Sequence, residues 1–219
     1  MTTAVADTSP RTGVRARQKA ETRAKILQCA LEAFAARGFE GASVRDIAAA
    51  AGVNHGLIKY HFTDKDRLWK ASVDFLFERL HKEMEAPPGD DGLETYKQLK
   101  AWVRRYVRYC ARHPEHARIM VQESIRDSER LRWAVERHIK PDHDRMLPAF
   151  RSYVRRGIYP DVPDHSFAYI LVAAAQSMFM LGPEVAKVYG VDTTDDAVID
   201  AHADTIINLF FEHKAKNFG

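Results

Sequence analysis

Only two cysteines occur in the 219 residues, Cys29 and Cys110. Neither has the spacing of a metal site or a disulfide framework, so both are expected to be reduced, buried thiols. No run of about 18 apolar residues is present, so no membrane-spanning helix is expected. The N-terminus lacks an apolar signal core and reads as a polar tail containing Ser, Thr and Pro. A soluble, cytoplasmic protein is therefore expected. Strand-type alternation is scarce, and no internal repeat or low-complexity segment appears. There is no Gly-x-Ser-x-Gly elbow, no glycine loop to cradle phosphate, and no Cys–His pair that can be placed. Neither an enzyme nor a cofactor is expected.

What is present is helix, in a chain long enough for one or two domains with a sizeable core. Residues 1–14 read as a disordered tail. From Arg15 the apolar positions Ile26, Leu27, Ala30, Leu31 and Phe34 share one helical face, which Gly38 closes. A further helix is expected from Thr63 or Asp64 to about Glu85, broken by APPGDDG at 86–92. Amphipathic segments follow at 93–113, 115–126 and 128–156, the last with a kink or break expected at Pro141 and Pro148. The most apolar stretch is 162–181, and a last helix is expected over 194–214. The fold expected is all-α: a three-helix head over 15–62 and a larger helical bundle over 63–219.

Charge divides along the same line. Residues 1–70 carry 12 Lys+Arg against 7 Asp+Glu, and the remainder 21 against 23. A basic small domain joined to a slightly acidic larger one suits a protein that places only one end on a polyanion.

The segment SVRDIAAAAGVNHGLIKYHF, residues 43–62, is the most informative. Ser43 is placed to cap a helix, with Asp46 three residues later as its reciprocal partner. Ile47, Ala48 and Ala51 form a buried face whose small side chains allow close helix approach. Gly52 ends the helix where positive φ is needed, and Val53 packs the turn. Asn54 caps a second helix anchored by Ile58 and Phe62, leaving His55, Gly56, Leu57, Lys59 and Tyr60 on the other face. This is the layout of a helix-turn-helix, whose second helix enters the DNA major groove.

From Arg23 to Leu68 the chain resembles the DNA-binding domain of the TetR family of transcriptional repressors. The residues that carry the resemblance are Ile26, Leu27, Ala30, Phe34, Gly38, Ser43, Ile47, Ala48, Ala51, Gly52, Val53, Gly56, Tyr60, His61, Phe62, Lys65 and Leu68. It implies a DNA-binding set of Ser43, Arg45, Asn54, His55, Gly56, Leu57, Lys59, Tyr60, His61 and Lys65. Tyr60, His61 and Lys65 match residues that donate to phosphate oxygens, and Arg45 matches a position that contacts DNA in some relatives. Lys59 stands where the family more often has an aromatic residue, which suggests a guanine or phosphate contact. The series Arg11, Arg15, Arg17 and Lys19 is placed to track the backbone or enter a minor groove.

The resemblance also implies a homodimer through the last two helices, a double-stranded DNA operator as partner, and release by a small-molecule effector. Aromatic and polar residues set among apolar ones in the middle helices are the effector candidates: Trp102, Tyr106, Met120, Glu123, His143, Gln176 and Phe179. His138, Asp142, His143 and Asp144 have metal-ligand chemistry, but Pro141 separates the histidines and no metal site is expected. Two other readings stay open: a DNA-binding regulator without a small ligand, controlled by a protein partner, and a helical adaptor whose basic head binds acidic protein surfaces.

Overall fold

The computed structural model describes residues 10–87, 95–157, 159 and 161–212. Among these there is no strand. The chain divides into two compact units, a head to Phe75 and a core from Leu76.

In the head, α1 (Pro10–Gly41) is followed by α2 (Val44–Ala51), α3 (His55–Phe62) and α4 (Lys65–Met84), the last continuing into the core. α1 begins at Pro10, so part of the tail expected to be disordered is helical; residues 1–9 lie outside the described residues. Proline suits a first turn, and the Arg17–Glu21 pair four residues apart supports the helix beyond it. Gly38 interrupts α1 at φ 69°, ψ 175°, a conformation open to glycine alone.

Ile26, Leu27, Ala30 and Leu31 of α1 are fully buried, with Phe34 1% exposed. They are joined in the buried set by Ile47, Ala48 and Ala51 of α2, Ile58 and Phe62 of α3, and Leu68, Trp69 and Val73 of α4. Each large apolar side chain contributes about 1.5–3 kcal/mol by leaving water.

The core contains α5 (Tyr96–Arg112), α6 (Pro114–Arg126), α7 (Glu129–Ala134), α8 (Lys140–Arg155), α9 (Asp164–Met180), α10 (Gly182–Tyr189) and α11 (Asp196–Ile207). Thr95 and Gln98 form a capping box that starts α5. Val103, Val107, Tyr109 and Cys110 of α5 pack with Leu171, Ala175 and Phe179 of α9 and with Ile199, Ala203, Ile206 and Ile207 of α11. Arg108 bonds Asp200 at 2.5 Å, and Arg104 pairs with Asp204, which fastens α5 to α11. A second cluster joins Leu99, Phe150, Tyr153 and Tyr159, with Phe167 stacked on Phe150 at 4.1 Å.

The expected break near Pro141 takes another form. A wide π turn, Val135–Ile139, joins α7 to α8 and ends with the Lys140 N–H on the Val135 carbonyl. The wider turn gives the pyrrolidine ring the room that an α turn denies it. Pro148 lies inside α8 without ending it. The last helix runs as α11 and passes into a π turn at Asn208–Glu212; its expected end at 214 lies outside the described residues. α10 was not legible at all.

Candidate nucleic-acid interface

The geometry of α2 and α3 follows from three local devices. The Ser43 hydroxyl accepts the Asp46 N–H at 3.4 Å and so caps α2. Asp46 does not complete a capping box: its carboxylate lies 3.9 Å from Arg37, which leaves Arg45 exposed in the first turn. Gly52 then takes φ 69°, ψ 32°, and its N–H, with that of Val53, bonds the last carbonyls of α2. Finally, Asn54 Oδ1 accepts the Leu57 N–H at 2.8 Å and caps α3. Both caps use only acceptor oxygens. The Ser43 hydroxyl proton and the Asn54 amide protons are left as donors.

With Ile58 and Phe62 turned inward, α3 exposes His55, Gly56, Lys59 and Tyr60, while Leu57 and His61 are half-buried. Tyr60 is 73% exposed, a costly place for an aromatic ring with nothing to meet. A Cβ on Gly56 would lie 3.3 Å from Asn54 Oδ1, so the missing side chain spares the cap as well as opening the helix surface. Beside this face lies α1. Lys19 Nζ sits 5.7 Å from the Tyr60 ring centre, and the Arg23 guanidinium sits 5.6 Å from that of Phe62. Partial burial, with Lys19 and Arg23 nearby, lowers the His61 pKa. An arriving phosphate would reverse that balance. Arg23 is absent from the sequence-level set; its four-residue spacing from Lys19 was the available signal.

Between α3 and α4 the chain turns sharply at Thr63, which takes φ 64°, ψ −56°, with the Asp64 N–H only 2.6 Å from the Phe62 carbonyl. An open cleft of about 220 Å³ lies here, lined by Val44, His55, Ile58, Lys59, Thr63, Asp64 and Lys65. The α4 N-terminus is not a bare anion site. α4 starts at Lys65, and the Asp64 carboxylate accepts the Arg67 N–H at 2.7 Å, filling part of that end with its own negative charge. Lys65 donates to the Glu40 carbonyl at 3.2 Å and lies 4.7 Å from the centre of the Phe39 ring.

The effector candidates divide by position. Trp102 stacks on Tyr106, whose hydroxyl accepts from Gln176 at 2.9 Å, and Phe179 belongs to the same packed cluster. Glu123, 2% exposed, is instead engaged by Ser128 and by Arg130 at 3.2 Å. His143 faces Tyr169, with ring centres 6.4 Å apart, and Met120 is half-buried on α6. Tyr109, Cys110, His113, His116, Ala117 and Gln176 line a crevice with no room for a water molecule. Gln176 is one of the effector candidates. No cluster of His, Cys, Asp or Glu able to hold a metal exists among the described residues. No single described helix is long and apolar enough to cross a membrane.

A capped helix pair on a braced three-helix head, with a basic exposed second helix, defines a helix-turn-helix DNA-binding protein. Comparison with known proteins agrees. Residues 26–71 match the family described as bacterial regulatory proteins, tetR family, and residues 78–216 match the YcdC-like protein, C-terminal region. The HTH-type transcriptional repressor SCO4008 of Streptomyces coelicolor is 27% identical over 85% of this chain and 93% of its own. The repressor NicS of Pseudomonas putida is 26% identical over 75% of this chain and 78% of its own. Among solved structures, AibR in complex with isovaleryl coenzyme A and operator DNA superposes with a TM-score of 0.65. It is 18% identical and is matched over 87% of this chain and 98% of that one, a likeness of fold. The chain belongs to the TetR family: it is a DNA-binding transcriptional repressor and not an enzyme.

Proposed function

We propose that two copies of this chain bind a near-palindromic operator, each inserting α3 into a major groove, and that a small molecule bound in the core releases them. The observation that carries the DNA half is the exposed face of α3. Lys59 has the reach and charge to read guanine, while Tyr60, His61 and the neighbouring Lys19 and Arg23 hold phosphates. A single head reads too few base pairs to select one genomic site, which is why two copies are needed.

The dimer surface we favour is on the last helices. Ile170 and Leu181 are 56% and 44% exposed, and with exposed Ala173 and Ser177 they form a stripe along α9 and the residue that caps it. Leu209, past the end of α11, is 65% exposed. Release follows if the ligand prefers an arrangement of α4 in which the two heads no longer match successive major grooves, and it acts only as far as that preference goes. AibR, solved with an acyl-coenzyme A and operator DNA, supports a shared fold holding both kinds of partner. The closed crevice favours one rival, a regulator moved by a protein partner.

Selection of bound duplexes from a random pool, followed by affinity against salt, tests this reading. One near-palindromic sequence with half-sites a helical turn apart is expected. Binding without sequence preference would overturn it. A ligand screen on the selected duplex then separates effector release from control by a protein.

A further inference from the structure

α4 is held in the core by polar contacts that also wall the crevice. Arg79 donates to Glu115 Oε1 at 2.5 Å, with both side chains at most 15% exposed. His113 Nε2 donates to Glu83 Oε1 at 2.7 Å, and its Nδ1 lies 3.6 Å from Glu115. The Tyr109 hydroxyl shares a 2.9 Å hydrogen bond with His116 Nδ1 and reaches the Leu76 carbonyl at 3.4 Å. Phe77 lies edge-on to His116 with ring centres 4.9 Å apart, and stacks on His138 at 4.4 Å. Further along, His81 meets the Asp142 carboxylate at 2.9 Å. Arg79, Phe77, His81 and Glu83 all belong to α4.

Three crevice walls, Tyr109, His113 and His116, are thus among the side chains that touch α4. The crevice has no room even for a water molecule, so anything entering it displaces these rings, and a ring displaced by about 1 Å no longer makes a hydrogen bond of normal length. We infer that His113 is the positioning residue of the switch: it bridges Glu83 on α4 and Glu115 on α6, and widening the crevice beside Ala117 and Gln176 releases α4 by parting that bridge. This rests on the effector-release reading above and names the contact through which release passes. Glu115 is the fixed point of the arrangement. Burial pushes its pKa up, but bonds from His113, its own backbone and Arg79 more than offset that, so it stays ionised and anchors both partners.

The test uses the full-length protein and a wedge in place of the unknown ligand. Ala117→Leu forces the crevice open, His113→Gln weakens the bridge, and the double variant joins them. Backbone hydrogen exchange over residues 76–84 and affinity for the selected duplex are both measured. Exchange over 76–84 is expected to rise in each single variant, with operator affinity falling roughly tenfold. In the double variant the effects should be clearly less than multiplicative, because both act on one contact. Independent, multiplicative effects would overturn the proposal, as would unchanged exchange over 76–84 in Ala117→Leu. If Ala117→Leu fails to fold, Glu83→Gln replaces it, with the same expectation of non-additivity against His113→Gln. Should the wild type select no duplex, the regulator reading fails; the exchange measurement still decides the bridge.

Discussion

The head and the core bury polar groups in opposite ways. In the head, Ser72 is the buried polar residue among those described, and its hydroxyl returns to the Leu68 carbonyl of its own helix. The core buries Glu115, His116 and Glu123, each bound to partners on other elements or turns. An apolar core such as the head's has one low-energy packing and resists deformation. A core held by paired charges gains little net stability from them, yet losing one partner is severe. The head is thus built to present α3 in one geometry, and the core to be held by contacts that can be undone.

The largest expected effect would test that contrast directly. Glu115→Ala removes the buried carboxylate that pairs with Arg79 and faces His113, and should destabilise the core by about 3–5 kcal/mol, the cost of breaking a buried pair. Hydrogen exchange read separately over the two units should show the loss beyond residue 76 and little change over 26–62. Equal loss in both would break the comparison.

A pH titration comes next. Burial holds the His116 pKa down at about 3, far below its ordinary 6.5. The unfolded chain therefore binds this proton first. The stability that His116 contributes is present above about pH 6.5 and is lost as pH falls toward 3, at about 1.4 kcal/mol per pH unit. Denaturant unfolding at pH 7, 6 and 5 should show this slope, and His116→Gln should flatten it. A slope unchanged by that substitution would mean that other groups set the acid limit.

On the head, Lys59→Ala should reduce discrimination at one base pair by about 1–3 kcal/mol, while Tyr60→Phe should weaken binding to all duplexes alike. Competition against point-substituted operators separates the two. Uniform loss for Lys59→Ala would remove its base-reading role. Arg23→Ala should lower the salt slope by about one ion.

The smallest effect is expected at Thr63, a non-glycine residue at φ 64°. Thr63→Gly should stabilise the head by up to about 1 kcal/mol, since relief of strain exceeds the added chain entropy. A loss of stability measured by thermal unfolding would show that the threonine side chain holds the turn.

The two regions also differed in how much of them could be read from sequence. The helix pair of the head is written in short-range signals: a cap, a glycine that must take positive φ, and a second cap, all within a dozen residues. The core's decisive contacts join residues far apart, such as Arg79 with Glu115 and His81 with Asp142. Helical periodicity reports which face is apolar. It cannot say that a histidine on one helix meets a glutamate on another. His113 and His116 therefore passed as ordinary polar positions, while Glu123 looked open because Ser128 and Arg130 come from the next turn. The Asp64 cap was missed for a related reason, since an acid before a helix reads equally well as a loop residue.

The π turn at Val135–Ile139 also leaves a mark on how this sequence can change. One extra residue in a helix rotates everything after it by about 100°. The 16 residues of α8 are therefore phased by that single insertion. Deleting one codon there would turn a different face of α8 inward at a stroke, but Pro141 would then press on an ordinary turn, at about 3 kcal/mol. The proline therefore acts as a ratchet: a lineage can lose the insertion at low cost only after it has lost the proline.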